Sequence, residues 1–430
     1  MCAANRIDGT MKFGRAWMIP KEEKLQRGGI LMVQDIIKNI LIERTVGSEN
    51  NSTVLLYLEK QLEAMGYDIQ KLPFLCTTWE TKNSYLKLNE RIIGINASPF
   101  SEPCDVCGNL AFAKSLEELK GMECQNNILI LGGDLVSSPL QPKNYPFYYP
   151  DEHRNLIELL EKKQPAAIIA ATGKHPLCGL EPFPLFEDGN FLIPSAYISE
   201  NMLTEIQNSN TQSLIHISIQ SKKIKQNSYQ LVAKKKAKKT IGKIVICAHM
   251  DSKYNTLGAL DNAVGIAVLL EAARKLNSSI FDIDIVPFNG EEYYEASGEV
   301  EYLKFIDDNQ DKIFFVVNID SPCHVGSEIA VSLYNLKADT KKLINCLMGE
   351  RQNVVYGPEW YAGDHAAFAF RGIPCIVLSS SDLFDGALNA THTMKDNIQT
   401  VDLSLIEYAA DYINDFISVI SQKDNPIRCI

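Results

Sequence analysis

Residues 281–298 read FDIDIVPFNGEEYYEASG, and the fold of the chain can be worked out from this stretch. Its first half, 281–288, alternates apolar and polar residues and then turns apolar, which is typical of a strand entering a buried sheet. The strand ends at two adjacent carboxylates, Glu291 and Glu292. Adjacent side chains in extended or turning backbone point in different directions. The pair could therefore serve two roles at one site, or it could be ordinary solvated loop charge.

Strand and helix patterns alternate on both sides of this stretch. Further strand patterns are GKIVICA at 242–248, FFVVNI at 314–319 and IPCIVLS at 373–379. Helix patterns with apolar residues on one face lie between them and at the C-terminal end. Such alternation favours a parallel or mixed sheet with helices on both faces. From residue 241 onward the sequence therefore predicts an α/β fold, with a mixed, mostly parallel sheet sandwiched by helices.

Residues that can bind metal stand just after these strands or just before the following helix. They are His249, Asp261, Glu292, Asp320 and His392. In open α/β sheets, sites form at the carboxyl ends of strands, where the loops diverge. One such residue after one strand carries no information, but a series after successive strands forms a pattern. We therefore expect these five side chains to converge at one edge of the sheet.

The donor set constrains the chemistry of this cluster. Two histidines with several carboxylates suit zinc well and cobalt or manganese less well. Converging carboxylates repel one another unless a cation neutralises them. Five ligands exceed the need of one catalytic zinc with an open position, but they suffice for two ions if Asp261 bridges them. Glu291 is then free to act as a general base, and Asp251 is predicted to accept the second imidazole N–H of His249.

These segments, taken in order, resemble the co-catalytic zinc aminopeptidase family. That family includes the bacterial leucine aminopeptidases, the glutamate carboxypeptidases and the enzymatically inert transferrin receptor. The resemblance covers roughly residues 44–95 and 226–425. It is carried by AHMDS, GALDNAVG, NGEEYYEASG, NID, GDHAAFAFRGIP and THTMKDN. Any one of these motifs alone would be weak, whereas the ordered set is specific.

The resemblance implies a zinc-exopeptidase fold and a distribution of the ligands. His249 and Asp320 would hold one zinc ion, Glu292 and His392 would hold the other, and Asp261 would bridge the two. The remaining glutamate of the adjacent pair would be the catalytic base, as the residue pattern itself indicates.

One departure from the family concerns the residue before the last histidine. Some members place a tyrosine there, where its hydroxyl can stabilise the oxyanion, but this chain has Thr391. Tyr361 is the candidate to supply that hydroxyl instead. Asp364 and His365, in GDHAAF, could line the active site or could serve structural hydrogen bonding.

The favoured activity is that of a zinc-dependent exopeptidase, an aminopeptidase that hydrolyses the N-terminal residue of peptides. A mono-zinc, glutaminyl cyclase-like acyltransferase is the alternative, because DSK after His249 and the segment HTMKDN also resemble those enzymes. The form of LDNAVG favours the peptidase. A carboxypeptidase of the same fold and a non-enzymatic, transferrin-receptor-like binding protein remain as further alternatives, although the latter would be expected to lack ligands.

Residues 96–225 show a separate pattern of short strands around the helix pattern DEHRNLIELLEKKQ. They resemble the protease-associated domain that several family members insert, so a smaller inserted α/β domain is expected here. The catalytic domain is accordingly predicted at 32–95 and 226–430. Residues 1–31 fit none of these patterns and are expected to be a disordered leader, or Met32 is the natural start.

Composition limits the partners. The chain has 430 residues, of which 46% are hydrophobic, and a net charge of −11. This charge is spread along the chain, so nucleic acid and membrane surfaces are not expected as partners, and a peptide substrate is. No apolar run approaches the roughly 20 residues that span a bilayer. Eleven cysteines without framework spacing, and no visible secretory signal, predict a cytoplasmic protein.

Overall fold

The structure is a computed structural model that describes residues 11–13, 16–18, 33–176, 178–208, 214–276, 280–349 and 351–421. Within the predicted leader it describes only two short antiparallel strands, β1 (Met11–Phe13) and β2 (Ala16–Met18). The rest of that prediction lies outside the described residues. No helix in the described part of the chain has both the length and the apolar character needed to cross a membrane.

The larger of the two units is built on an eight-stranded sheet. Its strands, in chain order, are β3 (Asp68–Thr81), β12 (Ser221–Lys235), β13 (Lys243–His249), β14 (Asp282–Phe288), β15 (Ile313–Ile319), β16 (Ile329–Tyr334), β17 (Val354–Tyr356) and β18 (Cys375–Ser380). Their order across the sheet is β17-β16-β18-β15-β13-β14-β12-β3. The central strands β18, β15, β13 and β14 run parallel, and antiparallel pairs flank them. The predicted mixed, mostly parallel sheet is confirmed.

Helices cover both faces of this sheet. They are α1 (Val33–Ile40), α2 (Glu49–Ala64), α6 (Val264–Lys275), α7 (Ser297–Asp308), α8 (Ala338–Gly349), α9 (His365–Ala369) and α10 (Ser404–Ile420). Successive residues of a strand point to opposite faces of a sheet. In β13, Ile244 and Ile246 accordingly join the core beneath α6 and α10, while Val245 and Cys247 join the core beneath α7 and α9. Burial on both faces explains why this strand reads as a continuous apolar run.

A second eight-stranded sheet forms the inserted part. Its strands are β4 (Ser84–Leu88), β5 (Arg91–Ala97), β6 (Cys104–Gly108), β7 (Leu110–Ala113), β8 (Ile128–Leu131), β9 (Ala167–Thr172), β10 (Ser195–Ser199) and β11 (Ile215–Ile219). Three helices accompany it, α3 (Leu116–Gly121), α4 (Asp151–Lys163) and α5 (Glu200–Asn208).

The boundaries of this inserted unit differ from those expected at 96 and 225. Strands β4 and β5, expected in the catalytic domain, pair with β11 and β10 of the second sheet. Conversely, residues 221–225 begin β12, which pairs with β3 from Ser221 opposite Thr81 onward. The alternating pattern of 84–95 suits either sheet, and only long-range pairing decides between them. The likeness of this unit to a protease-associated domain stays a prediction.

Candidate metal centre

The five predicted ligands meet at the carboxyl-end edge of the large sheet. His249 ends β13, Asp320 follows β15 directly, and Glu292 stands in the loop after β14. Asp261 lies in an irregular turn, Ala259–Ala263, between β13 and α6, and His392 lies beyond β18. Parallel neighbouring strands bring the ends of their loops to one edge, which is why residues so distant in sequence converge.

Asp261 lies at the centre of this cluster. Its Oδ1 atom is 3.0 Å from Nε2 of His249, and its Oδ2 atom is 3.1 Å from Nε2 of His392. On one side, Asp320 Oδ1 is 3.8 Å from the same nitrogen of His249. On the other side, Glu292 Oε1 is 3.0 Å from Nε2 of His392. Two three-residue groups result, each with ligand atoms within 4.8 Å of one another, and they share this aspartate.

The electrostatics of the cluster follow from burial and charge. Burial opposes ionisation of Asp261, but hydrogen bonds with His249 and His392 hold the pKa of its carboxyl below the usual range. Burial likewise opposes the charged form of both histidines, yet the surrounding carboxylates raise the pKa of each well above its ordinary value. The carboxylates of the cluster thus favour the protonated, positively charged form of both histidines.

A divalent cation fits this set of donors. The two groups offer imidazole nitrogens and carboxylate oxygens, the combination that zinc prefers, and they are largely removed from water. Buried carboxylates that converge without a cation are costly. Glu292 Oε1 is buried and lies 3.0 Å from Nε2 of His392, without the geometry of a hydrogen bond between the two atoms. A metal ion between the ligands would satisfy this oxygen.

The loop that carries Asp261 is held by Asp396. The carboxylate of Asp396 accepts the backbone N–H of Leu260 at 2.7 Å and that of Asp261 at 3.1 Å. Asn262 donates to the backbone oxygen of Ile319 at 2.8 Å, which ties the same turn to the end of β15. Burial raises the pKa of Asp396 to about 6. Although Asp396 stands within THTMKDN, sequence reasoning gave it no role.

Arg44 supports the same turn and was missed entirely. Its side chain is fully buried, and its guanidinium donates to the backbone oxygens of Met250 at 2.5 Å, Leu257 at 2.6 Å and Gly258 at 3.0 Å. Burial lowers its pKa to about 10, opposed by nearby carboxylates such as Asp251. It thereby connects the residue after His249 with the approach to Asp261. Nothing in the local sequence around residue 44 marks this role, because every partner but one lies more than 200 residues away.

Asp251 does not make the hydrogen bond predicted for it. Its Oδ1 atom lies 3.7 Å from Nδ1 of His249, which is ion-pair range but too long for a hydrogen bond. The carboxylate accepts the backbone N–H of Gly290 at 3.2 Å and of Glu292 at 3.0 Å instead. These two donors turn Asp251 toward the loop after β14. Its role in the structure is to shape the loop that carries the adjacent glutamates.

Glu291 lies beside the ligand groups, partly shielded from solvent. Burial raises the pKa of its carboxyl well above the ordinary value; the charge of His249 opposes this shift, and the carboxylates of Glu292 and Asp320 add to it. A buried pair of carboxyls, Glu299 and Asp364, lies nearby, and the charges of Glu299 and Glu291 both act on Asp364. Burial raises the pKa of Glu299 to about 7 and that of Asp364 well above its usual value.

Tyr361 and His365 are not brought to the cluster. The Tyr361 hydroxyl lies 3.4 Å from Oε2 of Glu359, and its ring stacks on Phe370 at the surface. His365 is buried, with Nε2 2.7 Å from the backbone oxygen of Trp360, and burial lowers its pKa to about 4. Tyr361 therefore does not supply the hydroxyl expected of it, and His365 belongs to the packing of its helix.

The inserted unit reaches the cluster through an ion pair. Lys253 Nζ lies 2.5 Å from Oε2 of Glu187, in the segment between β9 and β10, and 3.4 Å from Oε2 of Glu292. Glu187, Lys253, Glu292 and His392 line one cleft of about 360 Å³ between the two sheets. Burial opposes the charge of Lys253, but the two carboxylates raise its pKa well above the ordinary value. The sequence carried no signal that residues 187 and 253 would meet.

Comparison with protein families gives a match over most of the part that carries the large sheet. Residues 230–417 match peptidase family M28, which confirms the resemblance to zinc aminopeptidases drawn from the motifs. Among curated protein sequences, no significant match was found.

Solved structures share the fold over nearly the whole chain. An aminopeptidase from Aneurinibacillus sp. strain AM-1 aligns with a TM-score of 0.69 and 19% identity over 91% of this chain and 94% of its own. A zinc aminopeptidase from Bacillus subtilis aligns with a TM-score of 0.70 and 18% identity over 93% and 97%. A peptidase M28 precursor from Shewanella amazonensis SB2B aligns with a TM-score of 0.66 and 16% identity over 91% and 92%. Coverage of this extent means that the likeness in fold includes both sheets.

Proposed function

We propose that this chain, whose residues 230–417 match peptidase family M28, is a zinc-dependent aminopeptidase that removes the N-terminal residue from peptides. The observation that supports this most strongly is the position of Asp261, whose two carboxylate oxygens face different histidines. A carboxylate shared in this way between two ligand groups is what a pair of co-catalytic metal ions requires.

The two ligand groups support a proposal of two zinc ions per chain. His249 and Asp320 would hold one ion, Glu292 and His392 would hold the other, and Asp261 would bridge them. When bound, zinc supplies Lewis acidity at the scissile carbonyl and lowers the pKa of the reacting water. Cobalt or manganese could replace zinc, because both accept nitrogen and oxygen ligands.

Glu291 is the proposed general base. It lies next to the ligand groups and is a member of neither, so its carboxylate stays free to accept a proton. As the water oxygen attacks the carbonyl carbon, Glu291 takes the water proton. It then passes that proton to the amine nitrogen as the C–N bond breaks. Burial and the neighbouring carboxylates raise the pKa of Glu291 above its ordinary value, which makes its carboxylate a stronger proton acceptor.

Other residues of the chain keep this geometry in place. Asp251 holds the backbone before and at Glu292, and Asp396 holds the backbone of the Asp261 turn. Such supporting groups orient ligands, and their loss typically lowers metal affinity or activity by about 10- to 100-fold.

A reducing, cytoplasmic setting is part of the proposal. The nine cysteines in the described part of the chain are all free thiols, and six of these are buried. Free thiols persist where the cell keeps them reduced. Cell fractionation with an antibody to the protein would test the location.

The decisive experiment uses purified protein on a mixed set of short peptides, with free or acetylated N-termini, and follows products by mass. Loss of single N-terminal residues from free peptides only, abolished by a chelator and restored by zinc, is the expected result. Elemental analysis of the active protein should give two zinc ions per chain. Loss of ammonia from peptides that begin with glutamine would indicate a cyclase, and loss of C-terminal residues would indicate a carboxypeptidase.

The Glu291→Gln variant tests the base. It should bind zinc as the wild type does and lose activity by at least about 100-fold, the lower end of what general-base catalysis contributes. Glu301→Gln, on the neighbouring helix α7 and outside the ligand groups, is the matched control and should keep full activity. Comparable activity of both variants would refute the assigned role.

A further inference from the structure

One segment of the inserted unit, residues 178–189, closes the cleft on the side of Glu292 and His392. A side chain at Gly179 would collide with the backbone oxygen of Thr391, directly before His392. A side chain at Gly189 would collide with the ring of Tyr294, just beyond Glu292. Because both positions are glycine, the segment lies directly against the two loops that carry these ligands. The inserted unit is therefore a wall of the metal centre itself.

Glu187 presents a carboxylate from this wall. Its side chain is 26% exposed and lines the cleft together with Glu292 and His392. One of its oxygens, Oε2, accepts a hydrogen bond from Lys253 at 2.5 Å. Its second oxygen, Oε1, accepts no hydrogen bond within the described ranges of the chain. This oxygen is available to a ligand in the cleft.

Lys253 fixes the direction of that carboxylate. Its ammonium group lies between Glu187 and Glu292, the latter at 3.4 Å. When a cation takes up the charge of Glu292, the ammonium keeps Glu187 as its remaining partner. Because Lys253 is already paired with a carboxylate of the protein, it is a poor partner for a substrate carboxylate. Of the two side chains, Glu187 is the one that can still accept a hydrogen bond from a ligand.

The N-terminus of a peptide has the complementary chemistry. Its α-amino group has a pKa of about 8 and is mostly protonated near neutral pH. A charge-assisted hydrogen bond between an ammonium and a carboxylate is among the stronger polar contacts in proteins. A wall that offers one carboxylate oxygen beside the metal centre would favour a chain end over the middle of a peptide, whose amide N–H carries no charge.

We propose that Glu187 of the inserted unit receives the free α-ammonium group of the peptide substrate, with Lys253 as the residue that positions its carboxylate. This inference rests on the proposed aminopeptidase function and names the group that recognises the chain end. It assigns to the inserted unit a direct part in substrate selection.

The test compares two inhibitors that differ only in the α-amino group. One is an amino-acid hydroxamate, and the other is the same hydroxamate without its amine; both reach the metals through the hydroxamate. The inhibition constants of the pair are measured on zinc-loaded wild type, Glu187→Gln and Glu181→Gln. Glu181 is an exposed carboxylate of the same segment that does not line the cleft, so its variant is the matched control.

Glu187→Gln should weaken the amine-bearing inhibitor by about tenfold or more, as expected for a lost charged hydrogen bond, and leave the other inhibitor within about twofold. For free peptides the same variant should raise KM, while kcat changes little. A merely structural role would weaken both inhibitors alike and would overturn the proposal. An unchanged ratio of the inhibition constants of the two hydroxamates in Glu187→Gln would also overturn the proposal.

Failure of the underlying function is distinguishable from failure of this inference. A wild type that removes no N-terminal residue from any peptide would overturn both. A wild type that is active, with Glu187→Gln discriminating between the two inhibitors as well as wild type does, would overturn the role of Glu187 alone. Thermal unfolding of the variants, which should match wild type, ensures that a weakened site is not a misfolded one.

Discussion

Replacement of Arg44 by methionine tests whether the metal centre depends on a residue outside every recognised motif. The guanidinium donates to four backbone oxygens, of which those of Met250, Leu257 and Gly258 lie in the buried turn between two ligands and the fourth is that of Ile42. Methionine fills similar space and donates nothing. Each buried acceptor left without a donor costs about 1–3 kcal/mol. The variant no longer buries the charge of the guanidinium, which offsets part of this cost. We therefore expect the free energy of unfolding to fall by about 3–5 kcal/mol, the usual range for breaking a buried polar network.

Urea unfolding of the metal-free protein measures this loss, and zinc titration of the folded variant measures the second effect. Zinc affinity should fall by about 10- to 100-fold, because the turn that presents Asp261 loses its support. Arg371→Met is the control, since Arg371 makes an exposed ion pair with Asp307 at 2.9 Å and should change stability by no more than about 1 kcal/mol. A loss below about 1 kcal/mol in Arg44→Met, with unchanged zinc affinity, would refute the reasoning.

Three further outcomes are expected. Asp261→Asn removes the shared negative charge, so elemental analysis should find fewer than two zinc ions per chain and peptide cleavage should fall by at least about 100-fold. Gly179→Ala places a methyl group against the oxygen of Thr391 and should cost about 1–3 kcal/mol in urea unfolding, whereas Gly349→Ala, which meets no neighbour within 4 Å, should not destabilise the protein. Burial lowers the pKa of the His365 imidazole to about 4, so its protonation favours the unfolded chain. The free energy of unfolding of the metal-free wild type should therefore fall by up to about 3 kcal/mol as pH falls from about 6.5 to 4. The same pH dependence in the metal-free His365→Gln variant would contradict this.

The ligand cluster was accessible from the sequence because its positions follow from local patterns. A buried strand is recognisable from its apolar run, and a polar residue at its end or directly after it must lie at the sheet edge, as His249 at the end of β13 and Asp320 after β15 do. The parallel order of strands then brings these ends together. No detail of side-chain packing is needed for that conclusion.

Contacts between distant segments were beyond the reach of the same reasoning. Lys253 meets Glu187 across 66 residues, and their pairing depends on how the inserted unit lies on the large sheet. The orientation of Asp251 toward the backbone N–H groups of Gly290 and Glu292 was likewise set by tertiary neighbours. Residue type and spacing can nominate such side chains, but they do not say which of several nearby partners a side chain takes.

The long pair of strands β3 and β12 has a consequence for how such chains could arise. The chain leaves the large sheet at Thr81 and returns at Ser221, directly opposite it in the register. Everything between these two residues could be replaced by a tight turn, and the order of strands in the large sheet would stay the same. Gene insertion or deletion at this point would thus exchange one wall of the cleft and spare the ligands. Substrate selectivity, carried by the inserted unit, can then change in evolution independently of the ligands carried by the large sheet.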